Sequence, residues 1–180
     1  MQPAFPWVFP QFQWNRYSTM KVVILTLSDK GARGEREDLS GPALADWLAR
    51  QGVAVRETAL LPDDGERIAA ALTDWVDRQA PDLILTTGGT GVSPRDVTPE
   101  ATRRVIDREL PGFAEAMRMA SFKVTPHAVI SRAIAGIRQG TLIVNLPGSP
   151  QGAVENLAVI WPAIPHAIAK LQGDPADCGS

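Results

Sequence analysis

Three short stretches of this chain hold residue types suited to binding anions and a hard cation. Thr86-Thr87-Gly88-Gly89-Thr90-Gly91 gathers glycines and hydroxyls in one run. Glycine removes side-chain obstruction and permits positive φ, so backbone amides can approach a ligand closely, and Thr90 adds a hydroxyl donor; such a loop can cradle a phosphate. No Gly-Lys-Ser/Thr follows, so this is not a Walker loop, and it is not the dinucleotide fingerprint either. In Asn145-Leu146-Pro147-Gly148-Ser149-Pro150, Ser149 and Pro150 open a predicted helix whose free amides and positive end favour negative charge. Ser28-Asp29 is the third stretch. Asp63 and Asp96 stand apart as carboxylates able to hold magnesium through oxygen. Transfer of a phosphoryl-type group needs positioning and charge neutralisation more than it needs a protein nucleophile. Lys30, Arg95 and Arg132 are candidate anion partners, with Arg132 foremost because it lies between Ser131 and an apolar run.

Each residue also has a purely structural explanation. The glycine run can be a tight turn after a strand, and Ser149 a simple cap. Asp63 can be a turn or helix-entry residue, while Asp96 can pair with Arg95 or cap a turn. His127 reads as a packing or hydrogen-bonding residue, Arg103, Arg104 and Arg108 as a solvated helix face, and Trp47 and Trp75 as core. Convergence favours function, because in α/β folds ligands bind beyond the carboxyl ends of the strands, where these segments fall.

The elements that must position them follow from hydrophobic pattern. Continuous apolar, β-branched runs at 21–27 and 83–87 suit strands buried on both faces, and 53–61, 130–137 and 141–146 are further strand candidates. Arg138-Gln139-Gly140 is short enough to imply an antiparallel hairpin at one side of the sheet. Ser40, with Pro42 in the first turn, caps a predicted helix that ends at Gly52. Asp63-Asp64-Gly65 leads into a helix with the stripe Ile68, Leu72, Trp75, Val76. Thr98 caps a helix with Pro99 at its first position, another spans Gly112 to about Ser121, Ser149 caps the next, and a last one ends near Leu171. A polar loop is expected after the first strand. The alternation predicts a three-layer α/β/α sandwich with a mostly parallel sheet and an antiparallel hairpin at one side.

Composition bounds the rest. With 180 residues the chain fits one domain, expected over 20–173, with a frayed tail at 174–180. A net charge of −2 argues against nucleic acid or an anionic membrane as the main partner. The single cysteine, Cys178, allows no internal disulfide or cysteine metal site and suits a reducing cytoplasm. Residues 1–19 interleave Phe5, Trp7, Phe9, Phe12 and Trp14 with prolines and lack the uninterrupted apolar core of a secretory signal. They are read as an extension outside the fold, or as a sign that Met20 is the initiator. The sharper alternative is an arm that docks through its aromatic residues.

Taken together the motifs resemble the molybdopterin-binding family that includes the molybdopterin adenylyltransferases. The resemblance covers roughly 21–173. It is carried by Leu27-Ser28-Asp29, Asp38-Leu39-Ser40-Gly41-Pro42, Leu61-Pro62-Asp63-Asp64, and Thr87-Gly88-Gly89-Thr90-Gly91 with Pro94-Arg95-Asp96-Val97-Thr98-Pro99-Glu100-Ala101. Ser131-Arg132, Gly136-Ile137-Arg138 and Asn145 to Pro150 complete it. It implies adenylyl transfer from Mg-ATP to the terminal phosphate of molybdopterin, with Asp63 and Asp96 catalytic and holding Mg2+. It implies pterin phosphate near Gly88, Gly89, Thr90, Gly91, Ser131 and Arg132, and nucleotide near Ser28, Asp29, Pro147, Gly148 and Ser149. It further implies a homotrimer that hands its product to a molybdenum-insertion protein. A non-catalytic molybdopterin carrier or scaffold is the alternative; the Asp63 and Asp96 pair favours the enzyme.

Overall fold

The computed structural model describes residues 19–175. The aromatic N-terminal segment before Thr19 and the tail beyond residue 175, with Cys178, lie outside the described residues, so the expectations for them do too.

Strand β1 (Val22–Leu27) is buried at every position. Its odd and even side chains enter different cores: Val22 and Ile24 join one, and Val23, Leu25 and Leu27 the other. β3 (Leu83–Thr87) and β6 (Thr141–Leu146) alternate in the same way, because a strand covered by helices on both faces has no solvent side. β2 (Val55–Leu61) is half exposed and forms one edge. β2, β1, β3 and β6 run parallel; β5 (Ala135–Arg138) returns antiparallel to β6, and the two-residue β4 (Arg108–Glu109) pairs antiparallel with β5. The sheet order is β2-β1-β3-β6-β5-β4.

Helices cover both faces. α3 (Gly65–Gln79) and α4 (Thr98–Val105) pack on one side. α2 (Ser40–Arg50), α5 (Pro111–Phe122), α6 (Pro150–Ile160) and α7 (Ile164–Leu171) pack on the other. The three-layer sandwich, its mostly parallel sheet and its lateral hairpin are as expected. Trp75 is buried in the α3 face and donates Nε1–H to Glu57 at 3.1 Å, while the partly buried Trp47 meets Trp161 edge-on at 5.3 Å. Each fully buried aliphatic side chain contributes about 1.5–3 kcal/mol by leaving water.

Several local expectations are corrected. Ser40 does not cap α2. Asp38 does, its Oδ1 accepting from the backbone N–H of Ser40 (2.9 Å) and Gly41 (3.1 Å), and its Oδ2 accepting from Thr26 Oγ1 (2.6 Å). A carboxylate serves two amides and a hydroxyl at once, which the serine hydroxyl cannot. Thr98 is also no cap; its hydroxyl donates to the Gly88 carbonyl at 2.9 Å. The polar loop after β1 contains a short helix, α1 (Asp29–Ala32), capped by Ser28. The strand expected at 130–137 begins only at Ala135. Thr125 caps a 3-10 turn at Pro126–Ile130, and Arg132 N–H bonds to the Thr90 carbonyl at 2.9 Å, so the chain is committed elsewhere until it reaches β6. Arg108 belongs to β4 and not to a helix face, because Asp107 N–H bonds to Ile137 O at 2.7 Å and turns the chain onto the sheet edge. His127 is exposed, not packed.

The middle of the sheet is tied by a buried polar node. Asn145 Nδ2 donates to Thr86 Oγ1 and to Thr102 Oγ1, both at 2.9 Å, and Asn145 Oδ1 accepts from Ile134 N–H at 3.4 Å. All three side chains are buried. Replacing Asn145 by alanine leaves buried groups without partners, at about 1–3 kcal/mol each. The Asn145→Ala variant is expected to lose about 2–4 kcal/mol of unfolding free energy by urea titration. An unchanged urea midpoint would disprove the node's role.

Candidate functional site

The glycine loop leaves β3 at its carboxyl end with φ of +108° at Gly88 and +62° at Gly89. A Cβ on Gly88 would stand 2.2 Å from the Leu27 carbonyl oxygen, and one on Gly89 2.4 Å from Thr98 Oγ1 and 2.9 Å from Asp63 Oδ1. Only glycine fits either position. The loop is held from several sides. Thr87 Oγ1 donates to the Pro147 carbonyl at 2.7 Å, Gly88 N–H reaches Leu146 O at 3.2 Å, and a Cβ on Gly148 would meet Gly88 Cα at 3.2 Å. The three expected stretches therefore share one rim, with Gly88 between Leu27 and Gly148.

Beyond the loop opens a cleft of about 420 Å³. Thr90, Gly91 and Ser131, expected near one phosphate, and Pro147 and Ser149, expected near the nucleotide, line this one cleft together. Ser149 Oγ accepts from Gly152 N–H at 3.1 Å and so caps α6 at the cleft wall. Arg118, Ser121 and Asn156 line it too, and sequence reasoning missed them. Arg118 donates from Nη1 to the carbonyls of Ser131 (3.3 Å) and Ala133 (2.9 Å). Its only sequence signal is a cation between Met117 and Met119 on a mostly apolar helix.

Arg132 does not face the cleft as a free anion partner. Its guanidinium donates to the carbonyls of Gly91 (2.5 Å) and Asp96 (2.5 Å) and pairs with Glu100. It clamps the loop between residues 91 and 100. Lys30 is exposed on α1.

The carboxylates gather on the other side of the glycine loop. Asp63 is half-buried. Its Oδ2 accepts from Asp29 N–H at 3.0 Å, while its Oδ1 is buried without a hydrogen-bond partner. Asp96 Oδ2 accepts from Ser93 N–H at 2.8 Å and would meet a Cβ on Gly91 at 2.9 Å. Both aspartates thus flank the same four-residue loop. Arg95 pairs with Asp29 and not with Asp96, bidentately at 2.8 and 2.9 Å. That guanidinium holds the Asp29 carboxyl below its ordinary value. Burial pushes Asp63 upward, and the charges of Asp29 and Asp96 add to the rise. A buried, unpartnered carboxylate oxygen beside a second carboxylate is a fitting donor set for a hard cation such as Mg2+, which takes one or two carboxylates and fills its other positions with phosphate and water. No group of three or more His, Cys, Asp or Glu suited to a metal occurs among the described residues.

A family described as a probable molybdopterin binding domain matches residues 23–166. The chain belongs to this family. Molybdopterin adenylyltransferase of Helicobacter pylori (strain J99 / ATCC 700824) is 41% identical over 158 residues, covering 87% of this chain and 90% of that protein. The protein of the same name from Escherichia coli K12 is 39% identical, covering 87% of each. Among solved structures, the molybdopterin biosynthesis enzyme MoaB of Thermus thermophilus superposes with a TM-score of 0.82 at 50% identity, over 88% of this chain and all of its own. The molybdopterin biosynthesis Mog protein of Mycobacterium ulcerans gives 0.79 at 40% identity, over 85% of this chain and 99% of its own.

The raised Asp63 pKa makes a prediction for this molybdopterin-binding domain in metal-free buffer. The folded state holds the Asp63 proton more tightly than the unfolded state, so this group's contribution to stability is full below the ordinary aspartate range. It is lost as pH rises through the elevated folded value. Asp63→Asn is expected to melt higher than wild type at neutral pH, with the difference closing as pH falls below the ordinary aspartate range. Melting curves in EDTA across that range would reveal it, and a constant difference would refute it.

Proposed function

We infer that the chain transfers the adenylyl group of ATP to the terminal phosphate of molybdopterin, releasing pyrophosphate. The observation that carries this reading is the buried, unpartnered Asp63 Oδ1 beside Asp96, across the glycine loop from an anion-suited cleft. Curated relatives named molybdopterin adenylyltransferase, matched over nearly their whole length, support it.

The chemistry is a displacement at phosphorus. An oxygen of the molybdopterin phosphate attacks the α-phosphorus of ATP; the bond from that phosphorus to the bridging oxygen breaks, and pyrophosphate leaves with the electron pair. No protein nucleophile is needed, so the chain's work is positioning and charge. Thr90, Gly91 and Ser131 bind the pterin phosphate in the cleft, where Arg118 adds positive charge. The rim formed by Ser28, Asp29, Pro147, Gly148 and Ser149 orients the nucleotide. Asp63 and Asp96 would hold Mg2+, which when bound neutralises phosphate charge. Arg132 keeps the 91–100 segment in place. The same reading includes a homotrimer, a cytoplasmic location suited to the single cysteine, and delivery of adenylylated molybdopterin to a molybdenum-inserting protein. No helix among the described residues is long and apolar enough to cross a membrane.

Purified protein is expected to release pyrophosphate from Mg-ATP only when molybdopterin is present. Asp63→Asn and Asp96→Asn should each slow turnover by roughly a hundredfold or more, the loss of several kcal/mol of charge stabilisation, with pterin binding retained. Pterin binding without pyrophosphate release in the wild type would instead establish a carrier, and full activity in both variants would remove the metal assignment.

A further inference from the structure

We propose that Asp29 and Arg95 are positioning residues that tie three loops together and aim Asp63 at the cation site. The proposal rests on the metal-dependent reading of that site.

Asp29 and Asp63 are joined reciprocally across 34 positions of sequence. Asp29 N–H donates to Asp63 Oδ2 at 3.0 Å, and Asp63 N–H donates to Asp29 Oδ1 at 3.1 Å. Each carboxylate fixes the other residue's backbone. With Oδ2 occupied, the rotation of the Asp63 carboxylate is set, and Oδ1 is the oxygen turned toward Gly89. Arg95 completes the tie. Its Nε and Nη2 donate to the two oxygens of Asp29 at 2.8 and 2.9 Å. A bidentate guanidinium–carboxylate pair fixes geometry as well as charge. Arg95 adjoins Asp96, so the loop bearing one carboxylate is fastened through Asp29 to the residue bearing the other. Asp29 itself already accepts three donors and acts through Asp63. The Arg95 side chain is 63% exposed, and exposed ion pairs add little to global stability, so its removal loosens the arrangement without unfolding the domain.

The competing role is direct: Arg95 leaving Asp29 to grip the nucleotide phosphates. The two separate by experiment on the full chain. Mn2+ binding is measured by water-proton relaxation enhancement with ATP present and pterin absent, and ATP binding is measured calorimetrically in EDTA. Arg95→Gln and Asp29→Asn are each expected to weaken protein-bound Mn2+ about tenfold, the usual scale for a residue that orients a metal ligand. The double variant should be no weaker than the weaker single one, since both act through one connection. Arg95→Lys should recover part of the loss, and the metal-free ATP affinity of Arg95→Gln should not change. Unchanged Mn2+ affinity in Arg95→Gln, additive losses in the double variant, or weakened metal-free ATP binding in Arg95→Gln would each overturn the proposal. The wild type separates it from the reading beneath it. If wild type binds no Mn2+, the metal assignment falls with the proposal; equal binding by wild type and variants removes only the positioning role.

Discussion

The site depends on a steric constraint at Gly88. The Leu27 carbonyl sits where a side chain on residue 88 would have to be, and Gly148 presses from the other side. β1, β3 and β6 are adjacent parallel strands, so their carboxyl ends arrive at one level, and the chain leaving β3 has no room to pass except as bare backbone. Past that close passage, Thr90 and Gly91 reach the wall of the cleft, while Gly89 lies beside Asp63 and Gly91 beside Asp96. Every other feature of the centre keeps this loop where it is: the Thr87 and Thr98 hydroxyls bonded to carbonyls, and Arg132 closing the segment that follows.

Polar groups in the interior are almost fully matched. Asn145 serves Thr86, Thr102 and Ile134, and Asp38 serves Ser40, Gly41 and Thr26. Among the described residues two buried side-chain atoms lack a hydrogen-bond partner, Arg138 Nε and Asp63 Oδ1, and of these Asp63 Oδ1 is the acceptor beside the glycine loop; an unpaired buried polar group is costly and calls for an explanation. On the proposed function, the fold tolerates that cost where a cation would supply the partner.

The parts legible in sequence were those written in pattern. Runs such as Val22–Leu27 and Leu83–Thr87 are apolar throughout, so burial on both faces, and with it the parallel sheet, followed directly. The glycine spacing and the aspartates were visible because their types are costly elsewhere. What escaped was partner choice. Ser40 and Thr98 look like caps from their positions before helical runs, yet a better acceptor two residues earlier displaced one, and a carbonyl ten residues away recruited the other. Arg95 beside Asp96 suggested a local pair, whereas its partner lies 66 residues upstream. Arg118 was invisible because only the fold brings α5 alongside the 3-10 turn and α6. Local pattern constrains which face is buried; it does not say which of several donors reaches a given acceptor.

The two margins of the sheet differ from its centre. β2 carries Arg56 and Glu57 on an exposed border, and β4 at the far border is only two residues long. Neither margin offers a long apolar ribbon of unpaired amides and carbonyls to another chain. Charge and brevity are ways in which proteins avoid runaway edge-to-edge polymerisation. Both margins thus disfavour open-ended continuation of the sheet from one copy of the chain to the next.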